Sequence, residues 1–385
     1  MKVQKISLIN FRNYEKLELA TENMVNILYG DNAQGKTNLL ESIYYAAFGL
    51  SHRTSSEDDL LNISKDEMAV EVCFNSYFGD HKLKIKRQRI AGKIKKEILL
   101  DNNPIKNKEQ YGTLNVVMFS PEDLAIVKGE PALRRRFLDM EIAQTNRFYY
   151  GVLLKYNRVL QQRNRLLKNT REQGVNKKLF AVWDNELASL ASEIITIRLE
   201  VLKNISKLAA ASYQEITEQK EEMTIQYDLK NNSEKNIAES TSLLLTKEEW
   251  QAWYLERFRE RFELDLFRGN TGLGPHRDDL IFCVNKKSLK AFGSQGQQRS
   301  CALSLKLAEM EYIKSKTGEF PVLLLDDVMS ELDSNRRRQL LRFINGKIQT
   351  FITVNDRTLI PEFAYNHYFK IVSGKVDEDK NCERY

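Results

Sequence analysis

Long apolar runs are missing from this chain. No stretch of about 18 apolar residues occurs, so no transmembrane helix is expected. Cysteine is scarce. Cys73, Cys283, Cys301 and Cys382 lie far apart and show no metal-ligand spacing, which points to reduced thiols in a cytoplasmic protein. Histidine is equally thin. His52, His81 and His367 have no partner at ligand or catalytic spacing, and His276 reads as a core or hinge residue. Met1-Lys2-Val3-Gln4-Lys5 lacks a signal-peptide layout and runs straight into a strand-like pattern. Repeats and low-complexity segments are absent as well.

The 385 residues suffice for one large or two ordinary domains. With 42% hydrophobic and 29% charged residues, the chain reads as soluble and globular rather than disordered. The net charge of +6 permits a polyanionic partner without establishing one.

Strand and helix signals alternate over the first 120 or so residues. Val3-Ile6-Leu8-Phe11, Met24 to Leu28, Met68 to Phe74, Lys82 to Lys86, Ile98 to Leu100 and Val116 to Phe119 predict strands. A helix is expected from Lys36 to about Phe48, closed by Gly49. Another is expected after Ser120-Pro121-Glu122-Asp123, with Ser as cap and Pro at the first position. From about Pro131 to Gln219 the pattern turns helical. One stripe is Tyr149, Val152, Tyr156, Leu160 and Leu167. A second is Trp183, Leu187, Leu190, Ile194, Ile197, Val201, Ile205 and Leu208. The polar connector Asn169 to Asn176 separates them, which predicts two antiparallel helices in a short coiled-coil arm or, alternatively, an ordinary helical subdomain. Beyond it come a strand (Met223 to Leu229), a polar stretch (Asn231 to Ser242), a helix (Lys247 to about Phe267), strands at Leu280 to Val284, Pro321 to Asp327 and Gln349 to Thr353, and a frayed tail from Asp377. Three parts follow: 1–125, a helical insertion at 126–268, and 269–385.

Three segments carry chemistry. Gly30-Asp31-Asn32-Ala33-Gln34-Gly35-Lys36-Thr37 fits G-x-x-x-x-G-K-T. Its glycines let backbone N–H groups wrap the phosphates of ATP, Lys36 reaches the outer phosphates, and the Thr37 hydroxyl ligates Mg²⁺. A structural glycine turn is the competing reading. In Leu323-Leu324-Leu325-Asp326-Asp327 an apolar strand delivers Asp326 to the Mg²⁺ shell, and Asp327 can take a proton from an attacking water. A buried strand ending in a capped turn is the alternative. In Phe292-Gly293-Ser294-Gln295-Gly296-Gln297-Gln298-Arg299 a small turn opens a helix from Cys301 to Lys314. The Ser-x-Gly-Gln turn Ser294 to Gln297 at that helix N-terminus is a second phosphate-reading surface, with Ser294, Gly296 and Gln298 as candidate nucleotide contacts.

The order of these segments, followed by Ser330-Glu331-Leu332-Asp333, resembles the ABC-type ATPase heads of SMC-like proteins: an α/β head with mixed sheets plus a helical, arm-like insertion. Ile9-Asn10-Phe11-Arg12-Asn13-Tyr14, Ser120-Pro121-Glu122-Asp123-Leu124 and Gly274-Pro275-His276-Arg277-Asp278-Asp279-Leu280 look like the RecF family of bacterial recombination mediators. The resemblance runs nearly end to end and is weakest from about Asn169 to Lys247.

That resemblance implies a composite ATP site. Ser294 and Gly296 would face the γ-phosphate bound by a second copy, so ATP would hold a homodimer together. Asp333 would lie across the seam, Arg12 and Asn13 near the nucleotide, and Asp327 would polarise the water. Many such heads carry glutamate at that last position; the shorter aspartate implies slow hydrolysis, with Lys36 and Asp327 as the catalytic pair. Thr353-Val354-Asn355-Asp356 stands where a switch histidine is usual. The implied function is ATP-gated binding of duplex DNA near gaps or junctions, independent of base sequence. The implied partners are RecR and RecO, and the implied outcome is loading of RecA, with no membrane partner. Candidate DNA contacts are Lys82, Lys84, Lys86, Arg87, Arg89, Lys93, Lys95 and Lys96, then Arg134-Arg135-Arg136 and Arg336-Arg337-Arg338; solvated faces, or pairing with acids inside the head, are the alternatives. A structural SMC-type DNA organiser is the competing function. It normally needs a much longer coiled coil than the roughly 60 Å that about 40 residues per arm would span.

Overall fold

Four short runs of Val, Ile, Leu and Phe become parallel strands covered on both faces: Val25–Tyr29, Val116–Phe119, Val322–Asp326 and Thr350–Val354. They were placed by a computed structural model, which describes all residues except 22, 55, 64, 91–92, 174–176, 230–244, 357–359, 361–365 and 379–385. The chain divides into two compact units, Met1–Asp123 with Glu309–Tyr385, and Leu124–Ala308.

The first unit holds two six-stranded sheets. One runs in the order Lys375–Glu378, Asn366–Val372, Val25–Tyr29, Thr350–Val354, Val322–Asp326, Val116–Phe119; only the first of these strands is antiparallel to its neighbour. The register sets Thr353 beside both Leu28 and Asp326, so the strand after which the glycine loop begins and the strand that ends in Asp326 finish at the same edge. Leu323, Leu324, Leu325, Phe351 and Ile352 are fully buried in this layer. Each such side chain contributes about 1.5–3 kcal/mol through lost apolar hydration. The other sheet is antiparallel, in the order Tyr14–Ala20, Lys2–Phe11, Glu67–Ser76, Gly79–Ile90, Lys93–Leu100, Asn103–Pro104. Helix Lys36–Phe48 ends on Gly49 in the left-handed conformation, as expected from the sequence.

In the second unit the helical middle resolves into Pro131–Thr145, Arg147–Gln173 and Lys177–Ile216. The first stripe is buried throughout, from Tyr149 to Leu167. The second is displaced. Trp183, Leu190, Ile197 and Leu208 are half-buried, while Ala188, Ala191, Ile195, Leu202 and Ala209 join Leu187, Ile194, Val201 and Ile205 in the core. Small residues on that face let a neighbouring helix approach closely. The expected long helix after Lys247 breaks at Arg261 into Lys247–Glu260 and Phe262–Arg268. Asp279–Val284 pairs with Met223–Asp228 in a separate three-stranded antiparallel sheet, so the first unit resumes only at Glu309, not near residue 269. Asp377 and Glu378 pair with Lys370 and Phe369 instead of fraying. The polar stretch Asn231 to Ser242 and the last seven residues lie outside the described residues.

His276 is half-buried in this second unit, with both ring nitrogens bonded. Its Nδ1 meets the Tyr156 hydroxyl at 2.7 Å and its Nε2 meets the Thr271 carbonyl at 3.0 Å. Burial pushes its pKa down from the ordinary 6.5 to about 4. A depressed histidine pKa means the fold prefers the neutral ring. The stability is full above about pH 6.5 and is lost as pH falls towards 4. Between pH 7.5 and 5 wild type is expected to lose about 2 kcal/mol relative to His276→Gln, read from urea unfolding at both pH values. An unchanged difference would show that the ring is charged in the fold.

Candidate functional site

Gly30 to Thr37 lies between the strand Val25–Tyr29 and the helix Lys36–Phe48. Both of its glycines are required by the backbone. Gly30 has φ 144° and Gly35 φ 117°; a Cβ at Gly30 would sit 2.5 Å from the Ile371 oxygen, and one at Gly35 2.6 Å from Asn13 Nδ2. Ala33 is also left-handed, at φ 63°. Lys36 Nζ folds back over the loop. It donates to the Gly30 carbonyl, to the Asp31 carbonyl at 3.0 Å and to Asn355 Oδ1 at 2.6 Å. Burial lowers its pKa, while Asp327, Asp31 and Asp326 oppose that shift.

Thr37 Oγ1 donates to Asp326 Oδ1 at 2.9 Å, and Thr353 Oγ1 donates to the same oxygen at 2.7 Å. Burial raises the Asp326 pKa, and these two bonds hold it down. Thr353 Oγ1 also accepts the Asp327 N–H at 2.9 Å. Asp327 is left-handed at φ 52° and heads the turn Val328–Glu331, where the Ser330 hydroxyl donates to its carbonyl at 2.8 Å. The donor set here is hydroxyl and carboxylate oxygen, which suits a hard divalent cation such as Mg²⁺.

Two turns clamp the loop from outside. Asn13 Nδ2 donates to the Gln34 carbonyl at 2.9 Å, and the Tyr14 hydroxyl to the Gly35 carbonyl at 3.0 Å. From the turn between Asn366–Val372 and Lys375–Glu378, the Ser373 N–H reaches Gln34 Oε1 at 2.7 Å and the Gly374 N–H the Gln34 carbonyl at 3.0 Å. Asn38 Nδ2 donates to Asn13 Oδ1 at 2.8 Å. Arg12 forms a two-point pair with the buried Glu41 at 2.8 and 2.9 Å and donates to the Asp59 carbonyl at 2.6 Å. The sequence reading named Asn13 but not Thr353's double bond, Asn38, or the Ser373–Gly374 turn; none of the last three has a local motif to betray it.

In the second unit, helix Gln295–Thr317 starts at the Ser294 turn itself, not at Cys301. The Ser294 N–H donates to Gln297 Oε1 at 2.9 Å and Ser294 Oγ accepts the Gln297 N–H at 3.2 Å, a reciprocal cap. Ser294 and Gln295 are exposed and Gly296 is half-buried. Gln298 is buried and turns inward, with its amide donating to the carbonyls of Leu289 at 3.1 Å and Gly293 at 2.9 Å.

The basic clusters are largely answered by acids. Lys82 and Lys84 flank Glu71 at 3.2 and 2.8 Å, Lys86 meets Glu97 at 3.7 Å, and Arg89 meets Asp58 at 3.4 Å. Arg87 is buried against Glu57 at 2.9 Å, and Lys96 lies 3.7 Å from the same carboxylate. Lys95 is exposed; the side chain of Lys93 lies outside the described residues. Arg134 is buried in a two-point pair with Asp279 at 2.6 and 3.0 Å, so it belongs to the core of its unit and not to a solvated face. Arg336 pairs with Asp333, as the acid-pairing alternative had it.

A glycine loop, an acidic strand end and a capped Ser-x-Gly turn, on mixed sheets with a helical insertion, define an ABC-type ATPase head of the SMC-like class. A family model described as RecF/RecN/SMC N terminal domain matches residues 2–375. A relative from Alkaliphilus oremlandii (strain OhILAs), described as DNA replication and repair protein RecF, is 42% identical over 380 residues, 98% of this chain and 100% of that one. One from Ligilactobacillus salivarius (strain UCC118), with the same description, is 40% identical over 386 residues, 99% of this chain and 98% of that one. A solved structure of the recombination mediator protein RecF-ATP in the RecFOR pathway superposes with a TM-score of 0.89 at 34% identity, over 98% of this chain and 97% of that one. The Smc head domain of Pyrococcus furiosus shares the fold, with a TM-score of 0.55 at 15% identity over 98% and 96% of the two chains. The chain belongs to the RecF family.

Proposed function

We propose that this chain binds ATP at Gly30–Thr37 and acts as an ATP-gated, DNA-binding protein of DNA replication and recombinational repair. The observation that carries the reading is the convergence of Thr37 and Thr353 on one oxygen of Asp326, beside Lys36. Thr37 and Asp326 would hold Mg²⁺, whose charge would offset that of the outer phosphates. Asp31, Asn32, Ala33, Gln34 and Gly35 supply backbone to the phosphates, with Asn13 bracing the loop. The descriptions of the relatives, DNA replication and repair protein RecF, and of the solved structure, RecF-ATP in the RecFOR pathway, support the role.

In this reading ATP joins two copies. Ser294 and Gly296 of one face the γ-phosphate on the other, and the dimer closes on duplex DNA near gaps or junctions. RecR and RecO are the partners and RecA loading the outcome, in the cytoplasm. The ATPase head is built on Met1–Asp123 and Glu309–Tyr385, and the arm lies within Leu124–Ala308. Asp327 is the acceptor for the water proton, with Lys36 opposite. The longest helix, Lys177–Ile216, has 40 residues. At 1.5 Å per residue it spans roughly 60 Å, short for a structural organiser of chromosomes.

The test is binding to plain and gapped duplex, with and without ATP, by wild type and Lys36→Ala. Binding indifferent to both ATP and the substitution would end the gated-clamp reading. Hydrolysis is expected to be slow, because the Asp327 carboxylate is one methylene shorter than glutamate and its main chain is pinned by Thr353 and Ser330. Single-turnover rates are expected below about one per second, the low end of enzyme turnover; rates of many per second would contradict a timer role.

A further inference from the structure

We propose that Glu221 is a positioning residue that ties the Ser294 turn to the end of the long arm helix, Lys177–Ile216. The proposal rests on the reading of that turn as the surface that meets a second copy's ATP.

The geometry is a single file of hydrogen bonds inside the second unit. Gln297 spends its carbonyl on the Ser294 N–H at 2.9 Å, and its backbone N–H on Ser294 Oγ at 3.2 Å. Its remaining donor, Nε2, reaches Glu221 Oε1 at 2.7 Å. The other carboxylate oxygen, Oε2, accepts from the Tyr213 hydroxyl at 2.8 Å. Tyr213 is fully buried in the last turns of the arm helix. One carboxylate therefore joins the cap of the turn to the core of the arm, through two charge-assisted bonds.

The backbone is bent to bring this about. After Ile216 the chain reverses through Glu218 and Gln219, both left-handed at φ 54° and 60° though neither is glycine. The Gln219 N–H closes back on the Gln214 carbonyl at 2.7 Å. Such conformations are costly for residues with a Cβ and persist where surrounding structure demands them. The reversal returns Glu221 to the level of Tyr213, eight residues earlier. The strand Met223–Asp228 starts directly afterwards, anchored by the Glu222 N–H on Asn285 Oδ1 at 3.0 Å. Glu221 is thus fixed on the arm side, and Gln297 is the part that can respond to a phosphate at Ser294.

The test uses the full chain and reads ATP-dependent dimerisation by sedimentation velocity. Glu221→Ala loses both bonds and is expected to raise the dimer dissociation constant about tenfold, the size of the one charge-assisted bond that reaches the turn. Glu221→Gln keeps an acceptor for Gln297 and a donor for the Tyr213 oxygen, and is expected to stay within about threefold of wild type. Tyr213→Phe is expected to weaken dimerisation about threefold, and to add nothing in the Glu221→Ala background, because both break the same file. Ser294→Arg separates the two levels of the argument. If Ser294→Arg blocks dimerisation while Glu221→Ala dimerises like wild type, the positioning role is overturned and the reading of the turn stands. If Ser294→Arg dimerises like wild type, the reading of the turn falls and takes the role of Glu221 with it. A Glu221→Gln protein as weak as Glu221→Ala, or additive losses in the double variant, would also overturn the proposal.

Discussion

Arg198→Ala is expected to lower the melting temperature by about 10 °C, from the loss of about 3–5 kcal/mol that follows breaking a buried ion pair in a unit of this size. Arg198 is 2% exposed, and every donor of its guanidinium is used. Nη2 meets both oxygens of Asp139 at 2.8 and 3.0 Å, and Nε meets Asp139 and the Tyr149 hydroxyl, each at 3.0 Å. Nη1 meets the Tyr227 hydroxyl at 3.0 Å and the Pro275 carbonyl at 2.7 Å. The Tyr227 hydroxyl in turn donates to Asp278, at 2.8 Å. Alanine would leave the Asp139 carboxylate with the Tyr149 hydroxyl but no counter-charge, and would take a donor from two buried phenol oxygens and from the Pro275 carbonyl. The charge is what they share, and its neighbours hold the Arg198 pKa well above its ordinary value against burial. The exposed pair Arg257–Glu260 supplies the contrast: its loss is expected to cost less than about 0.5 kcal/mol. Calorimetry of wild type, Arg198→Ala, Asp139→Ala and the double variant checks the argument. The double variant should lose less than the sum of the two single ones. A single variant melting within 2 °C or so of wild type would mean the network carries little of the stability.

That network explains where the sequence was readable and where it was not. The glycine loop was legible because its chemistry is contiguous, and the acidic strand because an apolar run ending in Asp326-Asp327 states its own direction. The first arm stripe was legible from period alone. Charge was the poor guide. Arg134 reads as a surface cation from its neighbours Arg135 and Arg136, yet its carboxylate partner, Asp279, is 145 residues away. Lys82 and Lys84 read as a basic face, yet Glu71 stands across from them on the adjacent strand. The clamp on Gln34 was out of reach for the same reason. Asn13 and Ser373 reach it across 21 and 339 residues, and neither contact leaves a local pattern. The strand Tyr14–Ala20 was missed because the Arg12–Tyr14 segment hid its short alternation. The strand Asn366–Val372 was not predicted, and Lys375–Glu378 was read as tail from Asp377 onward, although the turn between them holds the phosphate loop.

Lys36→Ala is expected to raise the dissociation constant for ATP roughly 100-fold, about 3 kcal/mol, the value of two hydrogen bonds from a charged donor to phosphate. The ammonium has three acceptors, the carbonyls of Gly30 and Asp31 and Oδ1 of Asn355. Those acceptors are what it must leave, or share, to reach a phosphate. Burial lowers its pKa while three aspartates oppose the shift, so the side chain enters the encounter partly stripped of water and held by partners it can exchange. Asn355→Ala therefore makes a sharper companion than a second loop variant. It removes one of the acceptors without touching the charge. Its affinity for ATP is expected to match or exceed that of wild type, by up to about fivefold, since one competing bond of about 1 kcal/mol is gone. Titration of a fluorescent ATP analogue measures both. If Lys36→Ala binds within threefold or so of wild type, the loop does not use its lysine on phosphate. If Asn355→Ala loses affinity as steeply as Lys36→Ala, Asn355 is itself a phosphate contact, and not a resting partner that the lysine gives up.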